Sequence, residues 1–214
     1  SGVQASALAM DKAAAKKLLS FHGVSTPEFR VVEEAKDALA LGLPVVIKPA
    51  SQGSAAGVSI VREKAGVEKA VKAARRLSRE VIAERYISGR ELTVAILDGA
   101  ALPVIEILPK KGFYDFKAKY TKGMTDFVVP AAIGRAVERK VVSESLRSYG
   151  LLGCSGAARV DVMVDKAGAA FVLEVNTIPG LTELSLFPRA AAAAGLDYPA
   201  LVERMLKGAG LNKR

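Results

Sequence analysis

Two short runs carry the residue types best suited to chemistry: Arg159-Val160-Asp161 and Glu174-Val175-Asn176. Each lies in an alternating segment, Ala158 to Val164 and Ala170 to Val175, and Asp165-Lys166-Ala167-Gly168 between them reads as a hairpin turn. With the tip at Lys166-Ala167, residue 164 faces 169, 161 faces 172 and 159 faces 174. Alternation then predicts an apolar face of Val160, Val162, Val164, Phe171, Leu173 and Val175. Arg159, Asp161, Glu174 and Asn176 share the other face, with Asp161 and Glu174 as diagonal neighbours in reach of a common cation. Two carboxylates and an amide oxygen are hard ligands, suited to Mg²⁺ shared with phosphate oxygens and water. The plainer alternative is a solvated face on which Arg159 pairs with Glu174 across the strands. Thr177-Ile178-Pro179-Gly180 follows as a tight turn whose N–H groups could point back into the same place.

Lys48 is the second candidate. It ends the apolar strand Pro44 to Pro49, so its ammonium projects from a fixed position where a phosphate could hold it by charge-assisted hydrogen bonds. The run Ser51-Gln52-Gly53-Ser54-Ala55-Ala56-Gly57 that follows is small enough for backbone amides to approach phosphate oxygens, or it is simply a turn. It is not a Walker A loop, because no Gly-Lys-Ser/Thr follows at the required spacing, and no G-x-G-x-x-G fingerprint occurs. The third candidate is the stretch Pro109 to Pro130, with little periodicity. It holds Phe113, Tyr114, Phe116, Tyr120 and Phe127 together with Lys117, Lys119 and Lys122. So aromatic a loop reads either as an ordering lid or as a loop packed on the core.

Mixed elements must position these groups. Helical spacing covers residues 5 to 22 up to Gly23, and the only histidine, His22, falls in the last turn as a structural group. A strand Phe29 to Val32, a helix Glu33 to Leu41, strands 44–49, 58–61 and 81–86, and a basic helix 66–79 complete a first half that ends at the Ser88-Gly89 break. Strands Glu91 to Leu97 and Ala101 to Leu108, the long stretch, a helix 135–150, the hairpin and helices near 184–194 and 198–208 form the second. Helices and strands mix without strict βαβ alternation, which predicts two α+β lobes, 1–87 and 88–214.

Composition limits the chemistry. The 214 residues are 50% hydrophobic and 25% charged, long enough for a sizeable core. One cysteine and one histidine exclude an internal disulfide, most zinc sites and most Ser-His or Cys-His nucleophile schemes. No apolar run is long enough to cross a bilayer and no signal-like segment opens the chain, so no membrane partner and a cytoplasmic location are expected. The net charge of +9 raises nucleic acid as a partner. Basic residues come only in ones and twos, however, and there is no Trp for stacking, so nucleic acid is not expected.

Taken together, the segments resemble the D-alanine–D-alanine ligases of the ATP-grasp superfamily. The resemblance rests on SALAMDK (6–12), LGLPVVIKP (41–49), ERYISGRELTVAIL (84–97), GFYDFKAKY (112–120), GCSGAARVDVMVD (153–165) and LEVNTIPGLTELSLFPRAAAAAG (173–195). It implies an α+β ATP-grasp fold with the nucleotide between two lobes. It further implies that Lys12, Lys48 and Lys119 contact ATP phosphates, with Ser54 on the glycine hairpin. Glu84 and the backbone of Arg85 and Ile87 would line the adenine pocket, and Glu91 would bind the ribose. Asp161, Glu174 and Asn176 would hold two Mg²⁺ ions, with Mn²⁺ as an alternative. Arg159 and the N–H of Gly180 would stabilise the oxyanion, Ser185 and Leu186 would bind the second D-alanine's carboxylate, and Tyr120 would close over the site.

The implied reaction joins two D-alanines at the expense of ATP, through an acyl phosphate, for peptidoglycan synthesis. The Lys119-Tyr120 pair argues for D-alanine over D-lactate as second substrate; D-lactate and D-serine ligases are the near alternatives. The family carries a further N-terminal domain, which this chain, starting at Ser1, is expected to lack. That domain contributes to the amino-acid site, so the other alternative is a portion that binds nucleotide but needs a separate N-terminal domain to catalyse. Phe116 and Ala55 stand where the family usually has Tyr and Ser. A homodimer is left open.

Overall fold

A computed structural model describes residues 1–110, 112–114, 121 and 123–210. Its first element departs from the single helix expected over 5–22. Asp11 interrupts the run by accepting hydrogen bonds from the N–H groups of Ala13 and Ala14, both at 3.0 Å, a capping arrangement that starts a new helix. The result is α1 (Val3–Met10) and α2 (Lys12–Phe21), with Lys12 opening the second helix. His22 is the C-terminal cap residue of α2.

The smaller sheet contains β1 (Phe29–Val31), β2 (Val45–Pro49), β3 (Ser59–Val61) and β4 (Val81–Arg85), in the order β1-β4-β2-β3 with every pair antiparallel. Alternation sends Val45, Ile47, Val81 and Ala83 into one core with α3 (Ala35–Leu39) and α4 (Val67–Arg75). The opposite face carries Val46 and Lys48 of β2 beside Ile82 and Glu84 of β4, with Val46 in register with Glu84 and Lys48 with Ile82. The polar residues thus share a face because the apolar ones have taken the other.

The larger sheet contains β5 (Gly89–Leu97), β6 (Ala100–Ala101), β7 (Ile105–Pro109), β8 (Thr125–Val128), β9 (Ala157–Asp165) and β10 (Ala170–Asn176), ordered β10-β9-β5-β7-β8 with β6 on β5. One face packs Leu92, Val94, Ile96, Val160, Val162 and Val164 against α5 (Arg135–Leu151) and against Ala9, Ala15 and Leu19 of the first two helices. The other packs Ala95, Leu97, Ile105 and Ile107 against α6 (Leu186–Ala193) and α7 (Tyr198–Gly208). From α2, Ala13 turns to the smaller sheet, meeting Ala50 and Ile82. No helix among the described residues is long and apolar enough to cross a membrane.

Three expectations need correction. The strand before Ser88-Gly89 does end, at Arg85, but the next begins earlier than Glu91, with Gly89 itself opening β5 opposite Asp165. A Cβ there would lie 1.9 Å from the Val164 carbonyl oxygen, so the glycine serves a close strand approach. The stretch after Pro109 is not all loop, since Thr125–Val128 pairs with β7 and the buried Tyr114 packs edge-on to Phe127 at 6.1 Å. Finally, the β9–β10 register is not the expected one. Ala170 pairs with Val164 and Val172 with Val162, then a bulge at Leu173 shifts the pairing so that Glu174 faces Asp161 and Asn176 faces Arg159. Val172, not Phe171 or Leu173, joins the core with Val175.

Candidate active site

The bulge has a chemical consequence. It puts Leu173 and Glu174 both on the cleft side of β10, and it makes Asp161 and Glu174 directly opposed instead of diagonal. Between the two sheets lies a cavity of about 380 Å³ with apolar walls that include Val46, Ile60, Met163 and Leu173. Its polar groups include Lys48, Glu84, Glu91 and Asp161, and Arg85 and Ile87 also line it. That is a size and character suited to a flat heterocycle with a polar tail. The N–H of Arg85 is already donated to the Glu28 carbonyl at 2.8 Å. A second cavity of about 660 Å³ is lined by Ser54, Arg159, Asn176, Gly180, Ser185 and Leu186. Lys12, Gln52, Tyr114 and Glu174 line both, forming the seam where contents of the two cavities meet.

Glu84 is 2% exposed, and its Oε1 receives Lys48 Nζ at 2.8 Å and Lys16 Nζ at 2.9 Å. Burial pushes the Glu84 carboxyl up, but the two ammonium charges outweigh it and hold the group below the ordinary carboxylate range. Burial, helped by the neighbouring Lys48 charge, wins in the other direction on Lys16, whose pKa falls from 10.5 to about 8 against the pull of Glu84. Lys12 hydrogen-bonds the Gln52 carbonyl of the glycine hairpin and lies 3.3 Å from Glu174 Oε2. Ser54 and Ala55 of that hairpin hold φ values of 54° and 57°.

Asp161 is gripped from two sides. Arg159 donates Nε and Nη2 to its two oxygens, each at 2.9 Å, and the Thr93 hydroxyl donates to Oδ1 at 2.6 Å. Burial opposes the Arg159 charge, yet Asp161 raises its pKa above the ordinary arginine value. The cross-strand Arg159–Glu174 pair considered as an alternative is therefore replaced by an i,i+2 pair along β9. Asn176 Oδ1 accepts the Ile178 N–H at 3.0 Å. Two opposed carboxylates and an amide oxygen make a hard donor set that fits Mg²⁺. Among the described residues no group of three or more His, Cys, Asp and Glu side chains could hold a metal, so the amide and the ligand's own oxygens must complete any coordination.

At the far end, Ser185 stands at the start of α6, and its Oγ turns back to accept the Thr182 N–H at 3.0 Å. A Cβ on Gly180 would lie 2.7 Å from Ser185 Oγ, so these two expected residues touch. The backbone N–H groups opening α6 suit a carboxylate. Lys119 and Tyr120 lie outside the described residues. Sequence reasoning missed Lys16 and Thr93, and had Tyr114 only as one aromatic of the stretch Pro109 to Pro130. Lys16 had a signal, one turn after Lys12 on the same helix. Thr93 could be found only once β5 was known to lie beside β9.

Two antiparallel α+β layers that face each other across a lysine- and carboxylate-lined cleft define an ATP-grasp ligase. Residues 17–207 match the family model described as D-ala D-ala ligase C-terminus. A D-alanine–D-alanine ligase of Syntrophotalea carbinolica is 45% identical over 215 residues, covering 100% of this chain and 70% of that protein. The crystal structure of the Bacillus anthracis D-alanine–D-alanine ligase superposes with a TM-score of 0.87 at 37% identity, over 97% of this chain and 69% of that one. The same enzyme complexed with ATP gives 0.83 at 36% identity, over 97% and 68%. The chain belongs to the D-alanine–D-alanine ligase family and corresponds to its C-terminal part.

Proposed function

We propose that the chain uses ATP to join two D-alanines into D-alanyl-D-alanine, the unit required for peptidoglycan synthesis. The observation that carries this reading is the seam: Lys12, Tyr114 and Glu174 line both the cavity suited to a heterocycle and the larger one beside it. In this reading Lys12 and Lys48 bind the phosphates, with Ser54 of the glycine hairpin beside them. Glu84, Arg85 and Ile87 receive the adenine, and Glu91 receives the ribose. Asp161, Glu174 and Asn176 hold two Mg²⁺ ions, or Mn²⁺ in their place, which when bound neutralise phosphate charge.

Chemistry then needs no protein nucleophile. A D-alanine carboxylate oxygen bonds to the γ-phosphorus as the bond to ADP breaks. The amine of the second D-alanine attacks the acyl carbon, losing a proton, and phosphate departs. Lys12 and Lys48 stabilise the transferring phosphoryl group, and Arg159 with the Gly180 N–H stabilises the oxyanion. Ser185 and Leu186, where α6 opens, hold the second carboxylate. Catalysis is positioning and charge.

A second reading is that a separate N-terminal domain must complete the amino-acid cavity. It is supported by Met10, Ile178 and Leu184, which line that cavity and are 52%, 81% and 42% exposed. We also propose a cytoplasmic location, supported by the need for ATP. The test is phosphate release from Mg-ATP with and without D-alanine, on this chain and on one preceded by such a domain. D-alanine-dependent release by this chain alone supports the first reading, and release only with the domain supports the second. No nucleotide binding in either protein overturns both.

A further inference from the structure

Lys16 lines neither cavity, yet it is the largest fully buried side chain of the described residues, 2% exposed. Its ammonium meets Glu84 Oε1 at 2.9 Å, hydrogen-bonds the Thr26 hydroxyl and stands 5.7 Å from the Phe29 ring. A bare ammonium in such a place is expensive, and one hydrophobic residue of similar volume would fill the space with less penalty. The charge is therefore serving something beyond packing.

The arithmetic of the cluster shows what. Lys48 and Lys16 share one carboxylate oxygen, so the trio carries a net positive charge directed into the cleft through Lys48. Without Lys16, Glu84 and Lys48 would form a closed neutral pair, and a phosphate would have to compete with Glu84 for the same ammonium. We propose that Lys16 is a positioning residue for nucleotide binding: it neutralises Glu84 from behind so that the Lys48 ammonium remains available to phosphate. The inference rests on the reading of Lys48 as a phosphate ligand. The groups facing Lys16 are Glu84 on β4, Lys48 on β2 and, at longer range, Glu174 on β10. With its pKa near 8, Lys16 stays charged at neutral pH despite full burial.

A merely structural Lys16 would tie α2 to β4, and its loss would weaken the whole nucleotide site. A positioning Lys16 weakens chiefly the phosphate end, because Glu84 in the adenine pocket keeps Lys48 as its counter-charge. Calorimetric titration of the wild-type chain, Lys16→Met and Lys16→Arg with Mg-ATP and with adenosine separates the two. Lys16→Met should weaken Mg-ATP by about tenfold or more, the scale of one lost charged hydrogen bond, with adenosine within about twofold. Lys16→Arg, which keeps the charge, should recover most of the loss. If Lys16→Met does not fold, Lys16→Gln retains hydrogen-bonding capacity without charge and should show the same selective loss. Equal weakening of both ligands in the folded neutral variant, or an unchanged Mg-ATP affinity, overturns the inference. Failure of the wild type to bind Mg-ATP instead overturns the nucleotide reading on which it stands.

Discussion

Glu174 touches every part of the proposed chemistry: it opposes Asp161, approaches Lys12 at 3.3 Å and borders both cavities. Replacing it with Gln keeps its shape while removing the charge that Lys12 and a bound cation would share. Glu174→Gln should cut phosphate release by about a hundredfold or more, the usual scale for losing one preorganised electrostatic group, with its melting temperature almost unmoved. Turnover like the wild type's would refute the metal assignment. Lys48→Ala should weaken Mg-ATP binding, read by the same titrations. Lys16 adds a pH signature. Its folded pKa lies near 8 and its unfolded value near 10.5, so between these values the unfolded chain holds more protons. Its contribution to stability is therefore greatest above pH 10.5 and falls away as pH drops through 8. The melting temperature of the wild type minus that of Lys16→Met should rise from pH 7 to pH 10. A flat or falling difference contradicts the buried-ammonium assignment. That Lys48, Asp161 and Glu174 would line one cleft was legible from residue type and motif, whereas the contact of Lys16 with Glu84 was not, because the two are remote in sequence and adjacent only after β4 folds.

The elements were legible where periodicity was clean and illegible where one residue broke it. Val160, Val162 and Val164 took the core face as alternation requires. On β10 the single extra residue at Leu173 reversed the parity, and no composition signal announced it, since Val172, Leu173 and Val175 are all good strand residues. Asp11 split the first helix by a cap that is readable in hindsight, as a polar residue inside an apolar-rich run. β8 went unseen because its four residues are edge-strand length and their partner β7 lies across a long connection. Gly89 shows the same limit, for a glycine required by close strand contact and a glycine that ends a strand look alike in sequence. The structure makes a sharp prediction here. Gly89→Ala must displace the Val164 carbonyl from 1.9 Å, which should cost ~3 kcal/mol and lower the melting temperature by roughly 10 °C. An unchanged melt would show that β5 and β9 do not approach as described.

At the scale of the molecule, α2 joins what the two sheets would otherwise keep apart. Ala15 and Leu19 belong to the larger sheet's core, Ala13 to the smaller sheet's surface with Ala50 and Ile82, and Lys16 is salt-bridged to Glu84. The C-terminal end of α2 is held against α5, where Arg147 donates to the His22 carbonyl at 2.8 Å and Glu144 accepts the Ser25 N–H at 3.0 Å. The Ser25 carbonyl in turn accepts the Val172 N–H of β10 at 2.8 Å. A helix committed to both cores cannot leave one without exposing apolar surface of the other, so the sheets should unfold together. Differential scanning calorimetry is expected to show one transition with equal calorimetric and van't Hoff enthalpies. Mg-ATP, bound between the sheets, should raise that single transition. At a hundred times its dissociation constant the ligand adds about 2.7 kcal/mol, which for a chain of this length is a rise of roughly 5–10 °C. Two resolved transitions, with only one moved by nucleotide, would mean that α2 does not couple the sheets and that the cleft is not built from both.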